Sequence, residues 1–211
     1  MARRTFRQLL AARVEEARFV GRNARYRSMF ERLAKLPLGD VLDVGGGRLS
    51  DLDSVPVAQA SSWTVVEQDV DLLPAALGRV GRVIADGVRL PVPDARFDTT
   101  LSIHVLEHVF EPVAMVAEMV RVTKPGGHLF LVVPQTANVH LLPHHYQNFT
   151  RAWLDEAARR FDLDVVVAEA MGGAWSSTAS RIALTWLTVL RLPGHHDPRA
   201  RRPRGFWALA P

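Results

Sequence analysis

Apolar positions along this chain follow two rhythms. Phe6, Leu10, Val14 and Ala17 recur at helical spacing, as do Tyr26, Phe30 and Leu33. They predict one long or two shorter amphipathic helices, ended by Pro37 and Gly39. Beyond that point the period shortens. Val41, Leu42 and Val44 read as a buried strand running into Gly45-Gly46-Gly47. Trp63–Val66 is a second apolar strand ending at Glu67, Arg82–Ala85 a third ending at Asp86-Gly87, Thr99–Ile103 a fourth and His128–Val133 a fifth. Helices are expected over Asp71–Leu77, with Pro74 in its first turn, over Val113–Val122, and over Arg151–Phe161 with Thr150 as its cap. Lys124-Pro125-Gly126-Gly127 predicts a tight turn. Arg48–Asp53 should open a helix, but Pro56 follows within two turns, and an interior proline costs about 3 kcal/mol, so that helix is expected to be short or broken. Asp164–Ala170 reads as a further strand, broken by Gly172-Gly173, and Ile182–Leu192 as a final strand or buried helix. Strands alternating with helices predict a doubly wound α/β fold, its mostly parallel seven-stranded sheet covered on both faces.

Composition narrows this picture. With 211 residues and 48% hydrophobic content, the chain is long enough for one well-buried domain. We divide it into a helical extension over 1–37, the α/β domain over 38–192, and a basic tail over 193–211 that is expected to be mobile. No run of eighteen apolar residues appears, and the arginine-rich start has no continuous apolar stretch of the signal-peptide kind. The sequence contains no cysteine, which excludes disulfides, thiolate nucleophiles and Cys-ligated metals, and makes a cytoplasmic location the expectation. The net charge of +4 is uneven: Arg and Lys outnumber acids by about seven over residues 1–35. Such a segment suits anionic lipid, nucleic acid or an acidic substrate, and is equally what a solvated helical face looks like. Together with Phe206-Trp207 in the tail it leaves room for a peripheral membrane contact.

The candidate chemistry starts at the glycines. They remove the Cβ atoms that would keep a ligand off the main chain, and a strand ending in such a loop is the layout of a nucleotide-binding unit. Glu67, at the end of the second strand, can accept hydrogen bonds from both hydroxyls of a ribose, so an adenosine moiety fits between the two strand ends. The dinucleotide pattern G-x-G-x-x-G fails at Ser50. Asp43 would repel a pyrophosphate, but it suits a ligand carrying an amino group and a sulfonium.

The stretch Val41–Gly47 resembles motif I of the class I S-adenosylmethionine-dependent methyltransferases, which share a Rossmann-like fold. The order Asp86-Gly87, then Leu90-Pro91-Val92-Pro93-Asp94-Ala95-Arg96-Phe97-Asp98, a strand, and His104-Val105-Leu106-Glu107-His108-Val109 resembles the family called methyltransferase type 11. The likeness covers about residues 38–167. It implies S-adenosylmethionine as cofactor and S-adenosylhomocysteine as product. Asp43, Gly45, Gly46, Gly47, Glu67, Gln68, Asp86, Gly87, Ile103 and His104 would line the cofactor site, with Asp86 accepting from the adenine amino group. A further glycine often follows shortly after the third in that pattern, where this chain has Arg48 and Leu49.

Methyl transfer to a hydroxyl gains from a base near neutral pH, and histidine is the usual one. His108 follows the fourth strand, and His144 and His145 follow the fifth, at the edge where such sheets bind ligands; these three are the catalytic candidates. His140 lies in the same late loop. His144-His145 invites a metal reading, but adjacent side chains point apart and no third ligand stands at ligand spacing, so no metal is expected. After the fourth strand Ser102-Ile103-His104-Val105 replaces the Asn/Asp-Pro-Pro-Tyr/Phe of base-amine methyltransferases, and carbon-five pyrimidine methylation would need the missing cysteine. Nucleic acid is therefore a poor substrate, and the expected acceptor is an O or N of a small molecule. Alternatives are the same chemistry on a lipid or cell-envelope glycan carrier at a membrane surface, and a methyltransferase-like module that binds without catalysis.

Overall fold

The computed structural model describes residues 26–47, 56–74, 80–173, 177–179 and 181–182. Five strands form one parallel sheet: β1 Asp40–Val44, β2 Ser62–Glu67, β3 Val80–Ile84, β4 Phe97–Ile103 and β5 Thr123–Val132. Their order across the sheet is β3-β2-β1-β4-β5, so the chain first winds outward from β1 on one side and then restarts at β4 on the other. Three helices are used below: α1 over residues 26–33, α2 Pro112–Val122 and α3 Arg151–Arg160.

The pleat of the central strands explains why both faces are covered. In β1, Val41 faces one way, packing with Met29, Phe30 and Leu33 of α1 and with Trp63, Val65 and Leu101. Leu42 and Val44 face the other way, into Val66, Leu90, Phe97 and the Met115, Val116, Met119 and Val122 stripe of α2. Successive side chains of one strand thus feed two cores, as a doubly wound sheet requires. At the start of the sheet, carboxylates tie strands together: Asp98 accepts from the Asp40 amide at 2.8 Å and from Lys124 at 2.7 Å, while Asp40 accepts from Ser62 at 2.6 Å and Arg96 at 2.7 Å.

Several expectations change. Phe97 pairs with Thr123 and Thr99 with His128, so Lys124–Gly127 bulges out of the ladder as the predicted tight turn, inside a strand that begins five residues earlier than expected. Asp71–Leu77 yields only a 3-10 turn at Val70–Leu72, capped by Asp69, before Pro74. Asp164–Ala170 is irregular and not a strand: Val165, Val166 and Val167 are exposed, and no strand among the described residues offers their backbone a ladder. The sheet therefore has five described strands instead of seven. The helix expected after Gly47, the segment Ile182–Leu192 apart from its first residue, the first part of the helical extension and the tail lie outside the described residues. Among the described residues no helix is long and apolar enough to cross a membrane.

Candidate functional site

All five strands point their carboxyl ends at one edge, and the crevice between β1 and β4 is the point where the winding reverses. The glycine loop stands there. Gly45 has φ +79° and lies against Val105, whose side chain a Cβ at that position would strike. Its amide donates to Val66 O at 2.8 Å. Gly46 lies directly on the Asp43 carboxylate, which leaves no room for a side chain. At Gly47 the main chain is open: a Cβ there would meet only Glu67, at 3.8 Å.

Asp43 is the floor of this loop. It is 4% exposed, and its Oδ2 accepts from the Trp63 indole at 3.3 Å. Burial pushes its carboxyl up from 3.8 to about 7, with the Trp63 hydrogen bond opposing and the Glu67 charge adding to the rise. Glu67, half-buried at the end of β2, accepts from the Gly47 amide at 2.7 Å and so joins the two loops. Burial raises its pKa too, against the hydrogen bonds from Gly47 and Gln68. Gln68 and Asp86 are exposed at the next positions along the edge, and Asp86 Oδ1 takes the Val88 amide at 3.1 Å. Gly87 packs on Met115 and Val44. The residues present fit an adenosine cofactor: a bare main chain, a ribose acceptor in Glu67, and a buried carboxylate whose charge suits a cationic ligand.

On the other side of the crevice, Ile103 ends β4 and His104 takes the left-handed conformation with φ +57°, its amide donating to Val132 O at 2.9 Å. That turn sets the ring of His104 5.9 Å from Tyr26 of α1 and 3.6 Å from Glu107. Tyr26 thus joins the site; its helical spacing with Phe30 and Leu33 marked it only as core. Glu107 is 1% exposed, sits between His104 and His108 (Nε2 at 3.9 Å), and keeps Oε2 without a hydrogen-bond partner. Burial alone would raise its pKa; the neighbouring His104 and His108 turn the balance below the ordinary value.

The late loop folds back over this turn. Tyr146 N donates to Glu107 O at 2.9 Å, and His108 Nδ1 donates to His144 O at 2.7 Å, which leaves the neutral ring's lone pair on Nε2. The ring of His108 lies 4.9 Å from that of His140 and 5.6 Å from that of His145. His144 is exposed, 3.3 Å from the Tyr146 hydroxyl, and turned away from this group. The third imidazole missing from the local sequence is therefore supplied by the fold: His140 and His145 meet His108, while His144 contributes its carbonyl. Around them Phe110, Val139, Leu141, Leu142 and Tyr146 expose apolar surface.

Comparison with known proteins agrees with this geometry. Residues 42–131 match the family model described as a methyltransferase domain, type 11. Demethylmenaquinone methyltransferase of Corynebacterium efficiens is 31% identical over 131 residues, 61% of this chain and 56% of that protein. The protein of the same name from Mycolicibacterium vanbaalenii is 31% identical over 163 residues, 74% of this chain and 70% of the relative. A putative methyltransferase from Bacillus halodurans has the same fold, with a TM-score of 0.56 at 18% identity over 64% of this chain and 67% of its own. The fold and the crevice are those of a class I methyltransferase domain. The chain belongs to the methyltransferase type 11 family, and it spans just over half the length of the Corynebacterium relative.

Proposed function

We propose that this chain transfers the methyl group of S-adenosylmethionine to an oxygen or nitrogen of a small acceptor with a flat, apolar body. The observation that carries the cofactor half is the hydrogen bond from Gly47 N to Glu67 Oε1, which joins a bare glycine loop to a ribose acceptor at the switch point of the sheet. Glu67 holds the ribose hydroxyls, Asp86 the adenine amino group, and Asp43 sets negative charge beneath the methionine end; Gly45, Gly46, Gly47, Gln68, Gly87, Ile103 and His104 form the walls. The cofactor supplies a methyl group already activated by its positive sulfur. What remains for the chain is to align the acceptor, exclude water and take a proton.

His108 is the proposed proton acceptor. Its Nδ1–H is fixed on a carbonyl, its Nε2 carries the lone pair, and buried Glu107 stabilises the imidazolium that forms. His144 and Tyr146 on the exposed side of the loop are placed to touch the acceptor, and His145 to support His108. The apolar residues around them favour a hydrophobic acceptor, and the names of the relatives point to a quinone-like ring. The same surface favours a second reading, in which the acceptor is drawn from a membrane.

Calorimetric titration with S-adenosylmethionine and S-adenosylhomocysteine tests the cofactor half; one-to-one binding in the micromolar range is expected, and no heat with no thermal stabilisation leaves a module that does not use this cofactor. Labelled methyl transfer to a panel of hydroquinones, phenols and amines then tests the acceptor. Label on carbon alone would overturn the assignment to O or N.

A further inference from the structure

We infer that His108, His140 and His145 form a binding site for one divalent transition-metal cation of the zinc, cobalt or nickel kind. One ligating nitrogen from each ring lies within 4.8 Å of the other two. Two nitrogens on one tetrahedral zinc ion at 2.0–2.1 Å lie roughly 3.3 Å apart, so small ring rotations close the site. The inference goes beyond methyl transfer and does not depend on it.

The hydrogen-bonding of the rings favours a cation. A carbonyl only accepts, so His108 Nδ1–H is committed to His144 O at 2.7 Å and His140 Nδ1–H to Asn138 O at 2.8 Å. Both rings are thereby anchored through one nitrogen and carry the lone pair on the other, the way metal-binding imidazoles are oriented by main-chain carbonyls. His145 Nδ1 lies 3.0 Å from His140 Nδ1, whose proton already goes to Asn138, and its Nε2 is buried with no hydrogen-bond partner. Three lone pairs are thus gathered with no donor among the described residues assigned to them. Buried Glu107, 3.9 Å from His108 Nε2, places a negative charge behind the group.

The donor set selects the ion. Three imidazoles without thiolate suit zinc, copper, nickel or cobalt; magnesium and calcium want oxygen ligands. Three protein ligands leave a fourth position open for water or for an acceptor oxygen, as in catalytic zinc sites. In the loaded chain the His108 lone pair sits on the cation, and an oxygen at the fourth position is activated there instead of by the imidazole.

The test uses the full chain, treated with chelator and free of cofactor and acceptor, so that its outcome is separate from that of the cofactor titration. Zinc is titrated against a chromophoric chelator, and cobalt is added while its visible spectrum is recorded. One equivalent of zinc and the intense absorption of four-coordinate cobalt are expected. His140→Ala and His145→Ala should each weaken zinc binding by more than the roughly 10–100-fold that a lost outer partner costs, and His144→Ala, which keeps the carbonyl, should bind like wild type. Absence of stoichiometric zinc, a weak six-coordinate cobalt spectrum, or wild-type affinity in both alanine variants overturns the site. The cobalt spectrum of the wild-type chain decides even where a variant does not fold.

Discussion

At the scale of single residues, the two acids at the strand ends carry the cofactor reading. Glu67→Ala and Asp86→Ala should each weaken S-adenosylmethionine binding by about 1–3 kcal/mol, the scale of lost hydrogen bonds to a charged group; calorimetry with wild-type affinity in both would remove those roles. Glu67→Ala should cost more, because it also releases the Gly47 amide. Asp43 makes a pH prediction. Its carboxyl titrates at about 7 in the folded chain and at 3.8 ordinarily, so between those values the folded chain holds a proton that the unfolded chain has lost. The contribution of Asp43 to stability is fullest below 3.8 and falls as pH rises towards 7. Asp43→Asn should therefore gain on wild type in thermal denaturation as pH climbs through that window, and a gap that does not change with pH would refute the assignment. A cationic ligand favours the ionised form, so cofactor affinity should rise through pH 7 in wild type and stay level in the variant. The sequence made Asp43 a candidate for its charge alone. Its place under the loop follows from the pleat, which turns it to the same face as Val41 and against Trp63.

At the scale of elements, Arg121 is the side chain that fastens α2 to the loop before β4. Its guanidinium donates to Glu118 at 2.7 and 2.8 Å, to Asp94, to Val92 O at 3.0 Å and to Leu90 O at 3.0 Å, and Glu118 in turn accepts from the Leu90 amide. Arg121→Ala leaves two carbonyls and a half-buried carboxylate unpaired and should destabilise the chain by about 2 kcal/mol, read as a lower denaturation midpoint; a loss under half of that would mean the loop is held by packing alone. Thr150→Ala removes the acceptor for the Trp153 amide and should cost about 1 kcal/mol. Elements of this kind were legible where one signal sufficed: four of the five strands within two or three residues, from apolar runs ended by Gly or an acid, and α3 from its cap. Asp164–Ala170 misled because its three valines satisfy local propensity while pairing depends on a neighbour that propensity does not reveal. The histidine group was half legible for the same reason. His144 and His145 stand together in the sequence, but the partners that matter are His108 and His140, and only the fold-back of the loop onto the turn after β4 brings them to one point.

At the scale of the whole molecule, the carboxyl edge of the sheet combines a polar cofactor crevice with an apolar rim. Phe110 is 78% exposed and Val139 65% exposed, and Leu141 and Leu142 stand beside them on the loop that carries the histidines. Scattered apolar residues on a surface need no explanation, but a group gathered at the mouth of a site does. If the acceptor is taken from a membrane, this rim enters the interface, and each fully buried apolar side chain adds about 1.5–3 kcal/mol. Phe110→Ser and Val139→Ser together should then reduce co-sedimentation with lipid vesicles by roughly tenfold or more, while costing little stability, since exposed substitutions stay within about 0.5 kcal/mol. The salt dependence separates this from binding through the arginines of residues 1–35: contact through the rim persists at high salt, whereas attraction of basic residues to anionic lipid is screened. Sedimentation that survives the double substitution and disappears with salt would assign membrane contact to the basic segment; no sedimentation in any condition would leave the rim as the wall of a pocket for a water-borne acceptor.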